Sequence, residues 1–548
     1  MLTERQPLPA DITTVAGALR FRAEEGADRP FIRVGSPQWL TAAELDHRTS
    51  ALAAGLRALG VRPGDRVATI LPNRIEAVDV FFACAKIQAI QVPMNYWLRG
   101  EFLRHQLADC EPRVLVADTE GIASAAGLLD PSQTEFIVHV DSEQPSTPFS
   151  QVPYRDLIAH DPAGVGPQAA DPREPFSILY TAGTTGMPKG CVLSTGYYVN
   201  LGRAYGTRRF VLPTDRIHTA YPLFHASGQM LTLMSALVNG ASASFDAEFH
   251  ASTFMSDAAA EHATEVFGVG FMANAILAQP ETDRDAHSGL RLAFWLPLTP
   301  GQQAEFERRF GTVVVCEAYG QTEVLPVSLA KLDGPRKRDS AGQVLPSMDV
   351  RIVDENDVDV PDGVPGEILV RPRIPNAMFD GYWRKGPETV TAWRGLWHHT
   401  GDAAIRDQDG YLTFVDRTKD AIRRRGENVS SYQLELAISE HPDIEAVAVC
   451  AVPAVLGEDD IKACIVLTAG VELSAADLFE FLRAQVPYYA IPRYVDIRTS
   501  LPVNGVGRVM KQALRDEGIV SGIIDFEALG LVVPRHERRG AIGQPASA

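Results

Sequence analysis

Close cysteine pairs are missing from this chain. Its six cysteines (Cys84, Cys110, Cys191, Cys316, Cys450 and Cys464) are scattered and form no Cys-x-x-Cys unit. That spacing argues against a zinc site or a disulfide framework and leaves buried free thiols as the expectation. Basic excess is missing too. The formal net charge is −18, which argues against a nucleic-acid partner. An anionic ligand must then be held by local donors rather than by an overall field. No apolar run approaches the roughly 20 residues of a membrane-spanning helix. The opening "MLTERQPLPAD" carries charge at once, so no secretory signal is expected. No fixed-period repeat runs through the chain. A hydrophobic share of 45% and a charged share of 22% are ordinary for a globular protein. A cytoplasmic enzyme or binding protein is the starting expectation.

At 548 residues the chain is too long for one ordinary core, so at least two domains are expected. Thr41 and Glu44 fit a capping box, and Leu45, Leu52, Leu56 and Leu59 then recur at helical spacing before Gly60. "RVATILP" reads as a strand, "EAVDVFFACAKIQAI" as a buried helix, "EFLRHQLADC" as another helix and "PRVLVAD" as a strand. That alternation implies βαβ units and parallel sheets. Residues 150–175, rich in Pro, Ala and Asp, read as a linker into the strand "FSILY". Around 334–341, "GPRKRDSAG" reads as a charged loop. The fold class expected is α/β. A large N-terminal domain spans 1–415, with a β-rich subdomain at about 345–415. A hinge at 416–419 leads to a small mobile α+β domain at 420–532, and 533–548 read as a tail without core-forming residues.

The stretch with the clearest chemistry is 177–190, "SILYTAGTTGMPKG". A strand ending in a Gly/Thr-rich loop with one lysine is a means of holding phosphates. Glycines let backbone N–H groups converge on an anion, threonine hydroxyls add donors, and Lys189 adds a mobile charge. The spacing differs from the P-loop, because Gly190 and Cys191 follow the lysine.

"YTAGTTGMPKG" resembles the phosphate loop of the adenylate-forming superfamily of acyl- and aryl-CoA synthetases, luciferases and peptide-synthetase adenylation domains. The resemblance covers nearly the whole chain, with its motifs in the expected order: "YPLFHASGQ" (221–229), "YGQTE" (319–323), "GEILV…GYW" (366–383), "WHHTGD" (397–402) and "DRTKDAIRRRGENVSSYQLE" (416–435). Within the superfamily, "LRGEFLRHQLADC" and "RRRGENVSSYQLE" look most like carnitine/crotonobetaine-CoA ligases.

The resemblance implies ATP, Mg²⁺ and CoA as the small-molecule partners of an acid substrate. It assigns Thr181, Thr184, Thr185, Gly186 and Lys189 to the β- and γ-phosphates, and Glu323 with Thr184 to the metal. Thr322 would touch the α-phosphate, Tyr319 would stack on the adenine, and Gly320 beside it would belong to the nucleotide site. Asp402 would accept both ribose hydroxyls, a task that suits a carboxylate, with Arg417 reinforcing it. His225 would lie beside the substrate and Gly426 along the thiol tunnel, and Lys419 takes the hinge position. The run Arg423–Arg425 reads either as a solvated face or as donors to the CoA phosphates. His398 and His399 point to opposite faces of a strand and are read as structural.

Two features depart from the pattern. The superfamily's C-terminal Gly-Lys pair, whose lysine bridges carboxylate and α-phosphate, reads Gly507-Arg508 in "NGVGRVMK". Arginine keeps the charge but not the geometry. Either Arg508 does the lysine's work, or Lys511 does, or the first half-reaction is altered. The small-residue strand end that lines the acid pocket reads "FWLPL" (294–298). Phe294 and Trp295 are expected to constrict the pocket and favour a small or flat acid, unless they point into the core. The reading is an ATP-dependent acid ligase that forms an acyl adenylate, releases pyrophosphate and transfers the acyl group to CoA. A diazotase-like activation of nitrite for an aromatic amine and a catalytically impaired nucleotide binder stand as alternatives.

Overall fold

A capping box opens the first long helix. In the computed structural model Thr41 Oγ1 accepts the backbone N–H of Glu44, and the Glu44 carboxylate accepts that of Thr41. Two otherwise orphaned donors are thereby satisfied. The helix runs Ala42–Ala58, with Leu45, Leu52 and Leu56 buried and Leu59 at its C-cap. The structure describes residues 6–25, 29–141, 146–165, 171–181, 187–287, 289–298, 300–417, 421–454, 457–502, 509 and 511–534.

The expected alternation of strands and helices forms. Strand Arg66–Ile70 pairs in parallel with Ile90–Pro93 on one side and Val114–Ala117 on the other. Between the first two runs helix Ile75–Ile87, apolar nearly all round and buried from Val78 to Ile87. A helix of that composition belongs inside a protein, covered on several sides.

Two large sheets result. An eight-stranded sheet has the order Gly381–Tyr382, Lys189–Ser194, Pro175–Thr181, Ile90–Pro93, Arg66–Ile70, Val114–Ala117, Phe136–His139 and Ser150–Pro153. A seven-stranded sheet has the order Val313–Val315, Leu292–Leu296, Glu265–Val269, Arg216–Thr219, Ser242–Phe245, Pro30–Val34 and Leu40–Thr41. One apolar core joins them. It includes Val67 and Val114 from the first sheet, Ile217 and Phe267 from the second, and Phe81 and Tyr198 from helices.

The stretch expected to be a linker is in part built into this architecture. Strand Ser150–Pro153 closes the edge of the eight-stranded sheet, and the turn of helix Tyr154–Leu157 buries Tyr154 and Leu157. Two well-placed apolar anchors outweigh a Pro- and Asp-rich composition. Residues 334–341 form an irregular loop.

Strands Met348–Val353, Gly366–Pro372, His398–Arg406 and Leu412–Arg417 form an antiparallel four-stranded sheet. Beyond it, strands Ala421–Arg424 and Glu427–Ser430 make a hairpin. Helix Ser431–Ser439 and a second four-stranded sheet of Ile444–Pro453, Asp459–Leu467, Tyr494–Arg498 and Ile524–Asp525 follow. These C-terminal elements bury their own apolar cluster, with Leu434, Ile465, Leu482 and Val495 inside. The expected hinge residue Lys419 and most of the expected tail, from residue 535, lie outside the described residues.

Candidate active site

Two antiparallel strand pairs meet in the cleft. Strands Pro175–Thr181 and Lys189–Ser194 pair antiparallel, with Thr181 directly opposite Lys189. Thr181 and Lys189 therefore stand side by side at the end of that strand pair. Thr184, Thr185 and Gly186, assigned to phosphate from the sequence, lie outside the described residues. Strands Ala318–Gln321 and Val324–Leu329 also pair antiparallel, with Gln321 opposite Val324. The turn between them is Thr322-Glu323, the end of the "YGQTE" motif.

Those pairs touch. Thr181 Oγ1 donates to Glu323 Oε1 at 3.4 Å, and Tyr382 Oη donates to the same oxygen at 3.1 Å. The Nζ of Lys189 lies 4.9 Å from the centre of the Tyr382 ring. Burial, with the Glu323 charge beside it, pushes the Tyr382 phenol well above its ordinary range, so it stays a donor. Glu323 has neutral hydroxyls for partners and forms no ion pair among the described residues. A carboxylate with such partners offers the oxygen ligands that a hard cation such as Mg²⁺ takes.

A second carboxylate stands behind the first. Asp402, in strand His398–Arg406, is buried. Its Oδ2 accepts hydrogen bonds from Tyr319 Oη at 2.8 Å and Gln321 Nε2 at 2.7 Å. Gln321 Nε2 also donates to Thr400 O at 2.8 Å. The motifs "YGQTE" and "WHHTGD" are thus locked to each other through side chains. Arg417 stands opposite Asp402 in the ladder. Gly320 is boxed in: a Cβ there would meet Leu325 Cδ1 at 2.5 Å.

His398 and His399 separate as the strand alternation requires. Nε2 of His398 faces Gln321 Oε1 at 3.3 Å, while Nδ1 of His399 faces Glu367 Oε2 at 3.1 Å. Burial drives the His398 imidazole down from 6.5 to about 3, with the neighbouring His399 adding to it. It is neutral at any ordinary pH.

On the acid side of the cleft, His225 follows Phe224 at the head of a π-helix, Ser227–Met234. Such wide turns are rare and often lie at functional sites. Its residues Ser227 and Leu231 line the cleft with Val269, Met272, Leu296 and Leu298. Thr181, Lys189, Glu323, Tyr319, Asp402 and His225 border the same cleft, whose volume is about 2480 Å³.

Phe294 and Trp295 do not constrict it. Both are fully buried. Phe294 packs edge-on against Phe210 and Phe267, and Trp295 packs against Phe254 and Phe306. Gly268 leaves room for the indole, since a Cβ there would stand 2.1 Å from Trp295 Cζ3. Their strand has a neighbour on each side, and both of its faces are covered. The expected narrowing of the acid pocket is therefore overturned.

The C-terminal elements reach the cleft through a hairpin tip. Arg425 and Gly426 join the strands Ala421–Arg424 and Glu427–Ser430, with φ of 54° and 82°. Two successive positive φ values make the tight turn that suits strand twist. A Cβ on Gly426 would lie 3.3 Å from Val269 Cγ2, at the end of a parallel strand of the large sheet. The next residue, Glu427, takes His225 across the boundary: Nε2 and Oε2 are 2.6 Å apart.

Of the arginine run, Arg424 is buried against Asp460 and the carbonyl of Ile491, and Arg425 pairs with Glu527. These charges are compensated within the C-terminal elements. Lys511 is likewise engaged there, with Ser431 Oγ at 2.9 Å and Glu435 Oε1 at 2.7 Å. It does not border the cleft in this arrangement. Arg508 lies outside the described residues. Sequence reasoning did not single out Glu427, Tyr382 or Gln321. All three stand inside motifs already read, next to residues that were chosen, and only their partners reveal them.

Residues 19–383 match the family model described as AMP-binding enzyme, and 433–508 match that of the AMP-binding enzyme C-terminal domain. The chain is 31% identical over 520 residues to a crotonobetaine/carnitine–CoA ligase of Salmonella paratyphi A, covering 92% of this chain and 97% of that one. It is 34% identical over 490 residues to a feruloyl-CoA synthase of an Amycolatopsis species, covering 87% and 93%. Among solved structures, the amide bond synthetase McbA of Marinactinospora thermotolerans aligns with a TM-score of 0.78 at 26% identity, covering 91% and 99%.

Proposed function

This chain belongs to the AMP-binding enzyme family, and from that premise we propose that it is an ATP-dependent acid–CoA ligase working in two steps. In the first, the acid's carboxylate oxygen attacks the α-phosphorus of ATP. An acyl adenylate forms and pyrophosphate leaves. In the second, a thiol sulfur attacks the acyl carbonyl, and the carbon–oxygen bond to AMP breaks. The first step brings two anions together, so its barrier is electrostatic and must be lowered by cations and preorganised donors.

Each group has a place in that scheme. Thr181, Thr184, Thr185, Gly186 and Lys189 hold the β- and γ-phosphates. Glu323 and Thr184 are the ligands for Mg²⁺, which when bound neutralises phosphate charge. Thr322 meets the α-phosphate. Tyr319 and Gly320 border the adenine, Asp402 accepts the ribose hydroxyls, and Arg417 reinforces that contact. His225 lies beside the reacting carbonyl, and Gly426 borders the path of the thiol. The apolar lining by Leu231, Val269, Met272 and Leu296 fits an acid with an apolar or aromatic body. The feruloyl-CoA synthase relative supports the same class.

The observation that carries the reading is the contact of Thr181 with Glu323 at 3.4 Å, in one cleft with Asp402. Lys511 is held by Glu435 in this arrangement; the cation for adenylation is assigned to Arg508 because it follows Gly507 at the position of the superfamily's Gly-Lys pair. Acid-dependent exchange of pyrophosphate into ATP, run over aromatic, aliphatic and inorganic acids, tests the first step. Product mass with and without CoA tests the second. Arg508→Ala is expected to slow exchange at least tenfold, about 1.4 kcal/mol of barrier. A full exchange rate in that variant moves the role elsewhere, and an absence of exchange with every acid refutes the ligase.

A further inference from the structure

The contact between His225 and Glu427 joins parts of the chain 202 residues apart. It is short, at 2.6 Å, and largely enclosed: the glutamate side chain is 12% exposed and the histidine 37%. Asn95 Nδ2 also reaches Glu427 Oε2 at 3.4 Å, and it donates to Tyr489 Oη at 3.0 Å. Two distant segments therefore contact one carboxylate in the cleft lining, with Tyr489 backing the second. Gly426, immediately before it, is the residue that meets Val269.

We infer that Glu427 is a positioning residue that makes His225 the proton acceptor for the incoming thiol. The inference rests on the acid–CoA ligase reading. With Nε2 donating to Glu427, Nδ1 is left as the basic nitrogen, and among the described residues it carries no hydrogen bond. As the sulfur–carbon bond forms and the carbon–oxygen bond to AMP breaks, the thiol proton passes to Nδ1 and the electron pair of the broken bond leaves with AMP. The imidazolium so formed lies against a carboxylate, which stabilises it and fixes its tautomer. General-base assistance of this kind is worth about 10²–10⁴-fold. The dyad has one partner on each side of the boundary between the large sheets and the hairpin. It exists only while the hairpin tip is in the cleft, so the base is assembled for the transfer step.

The test separates the half-reactions. Transfer is followed in a single turnover, from adenylate formed in place to thioester after adding CoA. Pyrophosphate exchange on the same preparations reports folding and the first step. Glu427→Ala is expected to slow transfer at least tenfold more than exchange, and Glu427→Gln, which keeps an acceptor oxygen, to recover part of the loss. On a His225→Ala background the Glu427→Ala change should add nothing. A glutamate that merely docks the hairpin would instead raise the CoA requirement equally with or without His225, and that result overturns the inference. So does an equal loss in both half-reactions. A wild-type protein that exchanges pyrophosphate but makes no thioester refutes the underlying reading instead.

Discussion

Asp402, which we propose accepts the ribose hydroxyls, is held in place by two neighbouring donors. Tyr319 and Gln321 both donate to its Oδ2, which fixes the carboxylate plane. Asp402→Asn removes the charge and sets an amide against those two donors. The Michaelis constant for ATP should rise at least tenfold, about 1.4 kcal/mol, as read from exchange kinetics. An unchanged constant would remove Asp402 from the ribose site. Trp295 makes the opposite point. Its indole fills the space left by Gly268 and touches Phe254 and Phe306. Truncating such a side chain costs about 3–5 kcal/mol. Trp295→Ala should therefore lower the urea midpoint strongly while keeping the ranking of acids. A shift toward bulkier acids at full stability would return the residue to the pocket.

At the scale of elements, the site is carried by turns, each made by a short antiparallel pair. Thr322-Glu323 and Arg425-Gly426 are turns of two residues, and such turns have few conformations. A two-residue turn projects its side chains from a rigid base, which suits groups that must be placed to within a fraction of an ångström. Gly426 is the sensitive position. Its φ of 82° is unfavourable for any side chain, and Val269 already stands close. Gly426→Val is expected to slow thioester formation at least tenfold more than exchange, measured on one preparation. Equal effects on both steps would mean that the hairpin serves the fold and not the transfer.

The whole molecule registers pH through its buried groups. His398 titrates near 3 in the fold, because burial penalises its cation, against 6.5 in the open chain. Between those values the unfolded chain binds the extra proton, so acidification destabilises the protein. The loss begins below 6.5 and reaches roughly 5 kcal/mol near pH 3. Asp79 and Asp380, both pushed up to about 6 chiefly by burial, work in the opposite direction. Their folded-state protonation favours the fold as pH falls from 6 toward 3.8. Comparing variants isolates the histidine. With His398→Asn, the urea midpoint should fall less between pH 6.5 and 4.5 than in the parent. Parallel curves would show that the imidazole is protonated without cost.

The motifs of the proposed nucleotide end were legible in the residues themselves. A glycine- and threonine-rich turn behind a strand, a carboxylate in "YGQTE" and another in "WHHTGD" state their chemistry by type, and their order along the chain ties them together. The capping box at Thr41 and the apolar helix at 75–87 were equally plain, because local hydrogen bonding and burial period act over a few residues. The direction of Phe294 and Trp295 was not. A strand covered on both faces of a parallel sheet buries every side chain, so alternation carries no sign of which residues face the cleft. Nor was the pairing of His225 with Glu427, or of Lys511 with Glu435, since contacts between distant segments depend on how packed units meet. Sequence determined which chemistry the chain carries; tertiary packing decided which of those groups stand together, because distance along the chain sets no distance in space.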